Sequence, residues 1–285
     1  MATFSGRPVP PREWHVKDLI PAKNTTLLTG DGGTGKSLLA AQLSVATVLG
    51  RSWLGAGVKR GPVVYLGAED DIDEMHRRFA TIACKQGVGL DRLEDLHLCC
   101  LAGKNAVLAT VNERGIIQST DLWAEFRRLA ISVKPALVAY DTLADLFGGH
   151  ENTRTQAQQF VSQLRGLALE TASTALLLAH PSLSGMASGS GMSGSTAWSN
   201  SVRSRLYLDR VKEEGGVEVD PDARVLRTMK ANYGPTGGEI KLRWHDGVIV
   251  SSDNPNAAAT TTAKGLQAEM IFLELLGSFA NFAGA

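Results

Sequence analysis

The fold is decided by residues 25–37, which read TTLLTGDGGTGKS. The first five form an apolar run, and the rest match the pattern G-x-x-x-x-G-K-[ST]. A strand, a glycine-rich turn and an amphipathic helix over 36–49 form a loop whose backbone N–H groups can surround phosphate oxygens. In this pattern the Lys36 side chain reaches the terminal phosphates and the Ser37 hydroxyl ligates Mg²⁺. We therefore predict a nucleoside triphosphate site, against the alternative of a glycine-rich turn with an incidental lysine. The predicted nucleotide contacts are Gly30, Asp31, Gly32, Gly33, Thr34, Gly35, Lys36, Ser37 and Leu38.

Short apolar runs alternate with helical patterns from residue 24 to about residue 180. Apolar runs without polar alternation are typical of strands that a parallel sheet buries on both faces. The predicted strands lie at 25–29, 63–67, 96–101, 136–140 and 175–179, and the predicted helices at 36–49, 71–86, 119–133 and 155–171. This order predicts an α/β fold with a mostly parallel sheet and helices on both faces. After a short helix near 196–203, an antiparallel C-terminal extension is predicted, with strands at 205–210, 224–230, 240–244 and 248–250.

The composition excludes several classes of protein. The 285 residues carry 29 Lys+Arg against 29 Asp+Glu and are 44% hydrophobic, so extensive disorder is excluded. The longest nearly apolar run, 38–50, is shorter than the roughly 20 residues that cross a bilayer. No apolar stretch follows the N-terminal arginines as it would in a secretory signal. Cys84, Cys99 and Cys100 form an odd set that suits neither a disulfide framework nor a zinc site. We expect a cytoplasmic protein without a membrane segment.

Three segments are predicted along the chain: an N-terminal arm over 1–23, a core over 24–250, and a linker with a C-terminal helix over 251–285. The arm is rich in proline, and the helix is an amphipathic stretch at 268–279. Within the core, residues 182–196 hold six Ser, four Gly and no charged side chain. Such a composition cannot bury a core and predicts a loop.

Two more of the predicted strands lead into carboxylates. Asp141 follows the fourth strand, where it can hold the Mg²⁺ water shell beside Ser37 or simply cap the next helix. Glu69 follows the second strand, and a position beside the strand of Asp141 would bring it near the γ-phosphate. A carboxylate in that place can polarise the attacking water. The alternative for Glu69 and the two acids after it is the first turn of the next helix, whose dipole favours them and explains Asp71.

A histidine, His180, follows the strand predicted at 175–179. Its ring could hydrogen-bond the γ-phosphate and report hydrolysis to the next loop, although a lone histidine is more often structural. This residue, Gly30 and both carboxylates fall at the carboxyl ends of predicted strands, the edge where α/β sheets bind ligands. We therefore expect the four residues to lie close together.

Taken in order, these segments resemble the RecA-type ATPase core. The similarity is carried by the glycine-rich loop, by YLGAED, AYDTLADLF and LLLAH, and then by GSTAWSNSVRSRLYL and KANYGPTGG. It covers roughly residues 12–250 and is strongest towards RepA-type hexameric replicative helicases of plasmids, with DnaB-type helicases more distant. The resemblance implies a RecA-like P-loop NTPase core with ATP and Mg²⁺ as cofactors.

The resemblance also implies a role for each residue that matches the family's motifs. Lys36 and Ser37 bind phosphate and Mg²⁺, and Glu69 is the catalytic carboxylate. Asp141 is the Walker B acid, and His180 is the sensor of the γ-phosphate.

In this family ATP lies between subunits, so the resemblance implies cations that a neighbour supplies. Arg203 matches the arginine finger, and Lys230 matches a second cation that points across the interface. DnaB-type proteins have an arginine two residues after the matching lysine, whereas Asn232 stands there in this chain, so the finger role rests on Arg203. From the residues alone, Arg203 is not distinguished from the other arginines near it.

Two loops match the DNA-facing loops of RecA-type rings: residues 148–155, with Arg154 as the one cation, and residues 182–196. The second loop has no cation, so it would hold DNA phosphates through amide and hydroxyl groups, unless it is an idle linker. Trp14 and Tyr233 are candidates to flank the adenine, with ordinary packing as the alternative.

Three functions remain open at the level of sequence. The first is a homo-oligomeric, hexameric ring that hydrolyses ATP to translocate on single-stranded DNA as a helicase. The second is a RecA-type switch or loader that binds DNA or a protein without unwinding. The third, a small-molecule kinase, fits poorly because the sequence has no arginine-rich lid. Zero net charge opposes a tightly bound, sequence-specific DNA reader, but a ring that encloses its strand does not need a basic outer surface.

Overall fold

The computed structural model describes residues 2–181, 196–213 and 216–252. Nearly all of the predicted loop at 182–196 and the whole predicted C-terminal helix at 268–279 lie outside the described residues. In chain order the strands are β1 (Trp14–Val16), β2 (Ile20–Pro21), β3 (Thr25–Gly30), β4 (Val63–Gly67), β5 (Leu96–Cys100), β6 (Ala109–Val111), β7 (Ile117–Ser119), β8 (Leu137–Asp141), β9 (Phe147–Gly148), β10 (Thr174–Ala179), β11 (Ser204–Arg210), β12 (Ala223–Ala231), β13 (Glu239–His245) and β14 (Val248–Ser251). The helices are α1 (Lys36–Leu49), α2 (Ile72–Lys85), α3 (Asp121–Val133), α4 (Leu143–Leu146), α5 (Arg154–Glu170) and α6 (Thr196–Ser201), with 3₁₀ turns at Ala2–Phe4 and Leu90–Leu93.

Within the described residues, nine strands form one sheet in the order β14-β13-β12-β11-β3-β10-β8-β4-β5. The strands from β11 to β5 run parallel, and β12, β13 and β14 extend the sheet in antiparallel pairing. The central strands β3, β4, β8 and β10 are buried along their whole length, which is why their sequences are uninterrupted apolar runs. The predicted class, a mostly parallel α/β sheet with an antiparallel C-terminal extension, is confirmed.

Two hydrophobic cores, one on each face of the sheet, hold the helices. Leu39 and Leu43 of α1 pack in the first core with Phe79 of α2. Trp123 of α3 and Phe160 of α5 pack in the second core. Alternate side chains of the buried strands enter one core and then the other, so each strand joins both layers. None of the described helices has the length and apolar character that crossing a membrane requires.

Local capping explains where α2 begins. The Asp71 side chain accepts a hydrogen bond from the Glu74 N–H at 2.8 Å, which satisfies one of the unpaired amides of the first turn. Asp71 therefore serves the helix, as the dipole argument predicts, whereas Glu69 lies two residues before the cap and outside the helix.

The second half of the predicted N-terminal arm packs on the core. β1 and β2 pair with each other, and Val16 and Ile20 are fully buried in the core that contains α1. The His15 ring is also buried and hydrogen-bonds Thr47 of α1 at 3.0 Å. Burial lowers the pKa of His15 to about 3, so the ring is neutral at physiological pH. The predicted boundary at residue 23 therefore falls inside packed structure, while residues 2–13 are exposed.

A small three-stranded sheet accompanies the main one. β6 pairs with β7 in antiparallel fashion and with β9 in parallel, and β9 begins six residues after the end of β8. Strands of two or three residues carry no periodic pattern, so this sheet was not predicted from the sequence.

Candidate functional site

The turn between β3 and α1 forms the phosphate-binding loop, residues 30–37. Gly35 adopts φ 101°, a conformation that favours glycine, and caps α1 without any side-chain hydrogen bond. A Cβ at Gly30 would overlap the carbonyl oxygen of Leu208 on β11, so only glycine fits at that position. The N–H groups of the first turn of α1 therefore have no competing side-chain cap and can bind an anion.

Lys36 holds its ammonium group within this loop. Nζ donates hydrogen bonds to the carbonyl oxygens of Gly30 at 2.8 Å and Asp31 at 3.0 Å, and it lies 3.4 Å from Nδ1 of His180. Burial lowers the pKa of Lys36, and the nearby carboxylates, that of Asp141 first, oppose the shift. The ammonium group of Lys36 is thus already placed at the loop, where it can bind an incoming phosphate.

The antiparallel extension supports the outer side of the loop. The buried Arg224 of β12 donates Nε to the carbonyl oxygen of Thr34 at 3.2 Å. Arg210 of β11 donates to the carbonyl oxygen of Gly32 at 3.5 Å and forms an ion pair with Glu218 at 3.0 Å. These contacts hold the backbone of the loop, and neither arginine was assigned from the sequence.

The order of the strands brings the predicted polar residues to one edge of the sheet. β8 lies between β10 and β4, and Gly67 at the end of β4 pairs with Asp141 at the end of β8. β10 lies between β3 and β8, so His180, which follows β10, is next to both. Glu69 comes two residues after Gly67. The phosphate-binding loop, both carboxylates and the histidine therefore meet at the carboxyl edge of the sheet.

Asp141 lies at the base of the site, with 4% of its surface exposed. Its Oδ2 accepts a hydrogen bond from the Tyr65 hydroxyl at 2.6 Å, while its Oδ1 is buried and has no hydrogen-bond partner among the described residues. Burial raises the pKa of Asp141 to about 6, and the hydrogen bond from Tyr65 and the nearby Ser37 hydroxyl oppose the shift. An unpartnered carboxylate oxygen close to a serine hydroxyl is an oxygen donor set of the kind that Mg²⁺ prefers, so the residues present fit this cation.

The side chains of Glu69 and His180 are in contact at the carboxyl edge of the sheet, where β8 ends at Asp141. Glu69 Oε1 is 3.6 Å from His180 Nε2 and accepts a hydrogen bond from the Thr142 hydroxyl at 3.5 Å. The Glu69 side chain is 46% exposed, so its carboxylate can reach a water molecule that it would polarise. His180 contacts Lys36 through one ring nitrogen and Glu69 through the other, which links the loop to the carboxylate.

A cavity of about 450 Å³ opens beside the loop. Its walls include Lys36, Ser37 and Glu69, together with two residues that were not assigned from the sequence, Arg77 of α2 and Trp244 of β13. The walls carry both cations and carboxylates, and the cations, with the glycine and serine of the loop, can contact the phosphates of a ligand.

The aromatic side chain at this cavity is Trp244, which is 37% exposed. Its ring lies 3.5 Å from the position that a Cβ of Gly35 would occupy. Trp14 and Tyr233 do not line the cavity. The guanidinium carbon of Arg12 instead lies over the ring of Tyr233, 4.1 Å from the ring centroid. The structure therefore does not place the expected aromatic pair at this site. An exposed indole face beside the loop can stack on a flat base.

Comparison with models of protein families assigns the chain to a family. A family model described as an AAA domain matches residues 2–186, which is more than half of the sequence. The chain belongs to the AAA-domain family of P-loop ATPases. The matched residues of the AAA domain include the phosphate-binding loop, Glu69, Asp141 and His180, so nucleotide binding and hydrolysis are supported for the segment that carries the site. Arg203 and Lys230 lie beyond the match.

These two cations lie far from the phosphate-binding loop of their own chain. Arg203 precedes β11, and its N–H donates to the carbonyl oxygen of Thr25, at the amino end of β3. Lys230 of β12 lies opposite Arg205 in the antiparallel pairing of β12 with β11, near the same end of β11. β3 runs six residues from there to Gly30, a distance of about 16 Å at the usual rise per residue. The structure therefore does not bring Arg203 and Lys230 to the site that the AAA domain of the same chain forms.

Asp141→Asn is expected to stabilise the nucleotide-free AAA domain at neutral pH. The folded-state pKa of about 6 lies above the ordinary value of 3.8, so ionised Asp141 lowers stability progressively as the pH rises from 4 to 6. That difference corresponds to at most about 3 kcal/mol, all of it present above pH 6 and none of it well below pH 4. Urea unfolding of both proteins between pH 4 and pH 8 measures the effect. A gain in stability that does not change with pH would contradict the assignment of the buried charge.

Proposed function

We propose that the chain forms a ring that hydrolyses ATP to move along single-stranded DNA, as a RepA-like replicative helicase. In this proposal Lys36 binds the terminal phosphates, and Ser37 and Asp141 hold Mg²⁺. Mg²⁺, when bound, would neutralise charge on the β- and γ-phosphates. Glu69 polarises the attacking water, and His180 senses the γ-phosphate through its contact with Lys36.

The observation that carries the ring is the position of Arg203 and Lys230. Nε of Arg203 is buried and finds no hydrogen-bond partner in the described part of the chain. Nζ of Lys230 donates to the carbonyl oxygens of Ser199 at 2.7 Å and Asn200 at 3.1 Å. Burial is the main cause that lowers the pKa of Lys230, and the charge of Arg203 lowers it further. Neither side chain forms an ion pair with any described carboxylate. Two neighbouring cations that have no anionic partner in the described part of the chain, and that are remote from their own loop, suit a phosphate bound by another copy.

Movement on DNA is supported by the described residues on either side of the predicted DNA-facing loop at 182–196. Pro181 alone separates His180 from the loop at 182–196, and α6 begins at Thr196, the last residue of that loop. Trp198 of α6 donates its Nε1–H to the carbonyl oxygen of Glu151, in the other loop at 148–155, at 2.8 Å. In this proposal a shift of His180 on loss of the γ-phosphate passes along the chain to the loop at 182–196, and the contact of Trp198 with Glu151 connects the helix after that loop to the loop at 148–155.

The test is ATP hydrolysis and strand displacement by the purified full chain. We expect single-stranded DNA to raise the rate of hydrolysis, and a forked duplex to be unwound only when ATP is present. Lys36→Ala, which lacks the phosphate-binding cation, is the inactive control. Stimulation without displacement would support the alternative, a RecA-type switch or loader that does not unwind. A rate that is the same with and without DNA would contradict the helicase and a DNA-binding switch, and it would favour a switch that binds a protein.

A further inference from the structure

Tyr65 carries a buried hydroxyl to which neither the motifs nor the family assign a role. It lies at the middle of β4, is fully buried, and packs edge-on against Phe79 of α2 with ring centroids 5.8 Å apart. Its hydroxyl donates to Oδ2 of Asp141 at 2.6 Å and lies 3.4 Å from the carbonyl oxygen of Ser37. Packing thus fixes the ring at one side, and the hydroxyl reaches the two residues that would hold the cation.

The bond from Tyr65 distinguishes the two oxygens of Asp141. A carboxylate can rotate and exchange its oxygens, but a single strong donor holds one oxygen in place and so fixes the plane of the group. Oδ2 is the oxygen that Tyr65 holds, and Oδ1 is left buried without a hydrogen-bond partner in the described chain. A buried charged oxygen without a partner costs free energy unless a ligand supplies one. The arrangement therefore leaves one defined oxygen for a cation.

We propose that Tyr65 is a positioning residue for the divalent cation, and that its hydroxyl fixes Asp141 so that Oδ1 is presented beside Ser37. The inference rests on nucleotide hydrolysis by the AAA domain and not on ring assembly or movement along DNA. Tyr65 acts through Asp141 and does not itself contact the cation or the nucleotide. Partners of this kind orient the ligands of a metal ion, and their loss weakens metal binding.

Tyr65→Phe tests the proposal, because it removes the hydroxyl and keeps the ring that packs against Phe79. The full chain is saturated with a fluorescent ADP analogue, and Mg²⁺ is titrated into the complex. We expect the variant to bind Mg²⁺ about 10–100-fold more weakly than the wild type, as is usual when the partner of a metal ligand is lost. Affinity for the ADP analogue without Mg²⁺ should not change, because Tyr65 does not contact the nucleotide.

Tyr140→Phe is the matched control for this measurement. Tyr140 is equally buried and lies on the neighbouring strand β8, but its ring packs against Phe126 in the core on the other face of the sheet. The same loss of a hydroxyl at this position should leave the affinity for Mg²⁺ at the wild-type value.

A double variant shows whether Tyr65 acts through Asp141. In the Asp141→Asn background, Tyr65→Phe should cause no further loss of Mg²⁺ affinity, since the carboxylate that it positions is absent. Wild-type affinity for Mg²⁺ in Tyr65→Phe, even with a lowered Tm, would overturn the proposal. Equal losses of ADP affinity with and without Mg²⁺ would overturn it as well.

Discussion

Arg203→Ala is expected to lower the rate of ATP hydrolysis by about 10³–10⁵-fold and to leave nucleotide affinity unchanged. Arg203 lies at the end of β3 that is remote from the phosphate-binding loop of its own chain, and in the proposed ring it would contact the nucleotide that a neighbouring copy binds. There its guanidinium would stabilise the charge that develops in the transition state and contribute little to the ground state. Steady-state hydrolysis and equilibrium binding of a fluorescent ADP analogue measure the two effects separately.

Two comparisons make the result for Arg203 specific. Arg243→Ala is the control, because Arg243 is exposed and pairs with Asp220 at the surface; its rate should stay within about two-fold of the wild type. Mixing Arg203→Ala with Lys36→Ala subunits should recover part of the activity, since an intact loop of the first then meets the intact arginine of the second. Absence of recovery, or loss of ADP binding by Arg203→Ala alone, would count against a shared site.

Glu69→Gln is expected to lower hydrolysis by about 10²–10⁴-fold, the usual contribution of a general base, with ATP still bound. The amide keeps the size of the side chain and its contact with Thr142. It cannot, however, accept a proton from the attacking water. The half-exposed position of Glu69 beside His180 is what places it within reach of water at the mouth of the site. Single-turnover hydrolysis, measured alongside ATP binding, separates the chemical step from affinity.

Asp71→Asn is the matched control for Glu69. Asp71 caps α2 through its bond to the Glu74 N–H, and asparagine caps helices about as well, so hydrolysis should change by less than about two-fold. If Asp71→Asn lost as much activity as Glu69→Gln, or if Glu69→Gln kept the wild-type rate, Glu69 would not be the base.

The centre of the fold was predictable because its signals are local in sequence. The pattern from Gly30 to Ser37 specifies a turn that only glycines allow, and uninterrupted apolar runs indicate strands that are buried on both faces. Residues that follow such strands must share one edge, which is why Glu69, Asp141 and His180 were singled out before any contact was known.

The rest of the site depends on contacts between distant parts of the chain. Trp244 reaches the phosphate-binding loop only because the hairpin of β13 and β14 packs on α1, where Gln42 hydrogen-bonds both the N–H and the carbonyl oxygen of Ile249 at 2.8 Å. No spacing in the sequence indicates that contact. The bond from Tyr65 to Asp141 likewise depends on the pairing of β4 with β8, and Arg203 was assigned through a resemblance and not through a local pattern.

The mass of the native protein tests the shared site most directly. The full chain is measured by native mass spectrometry alone, with ATP and Mg²⁺, and with both and single-stranded DNA, using Glu69→Gln to prevent turnover. We expect ATP and DNA to favour a closed assembly of six copies of the 30.3 kDa chain, about 180 kDa with the ligands not counted. A chain that stays monomeric under all three conditions would contradict a site completed by a neighbour.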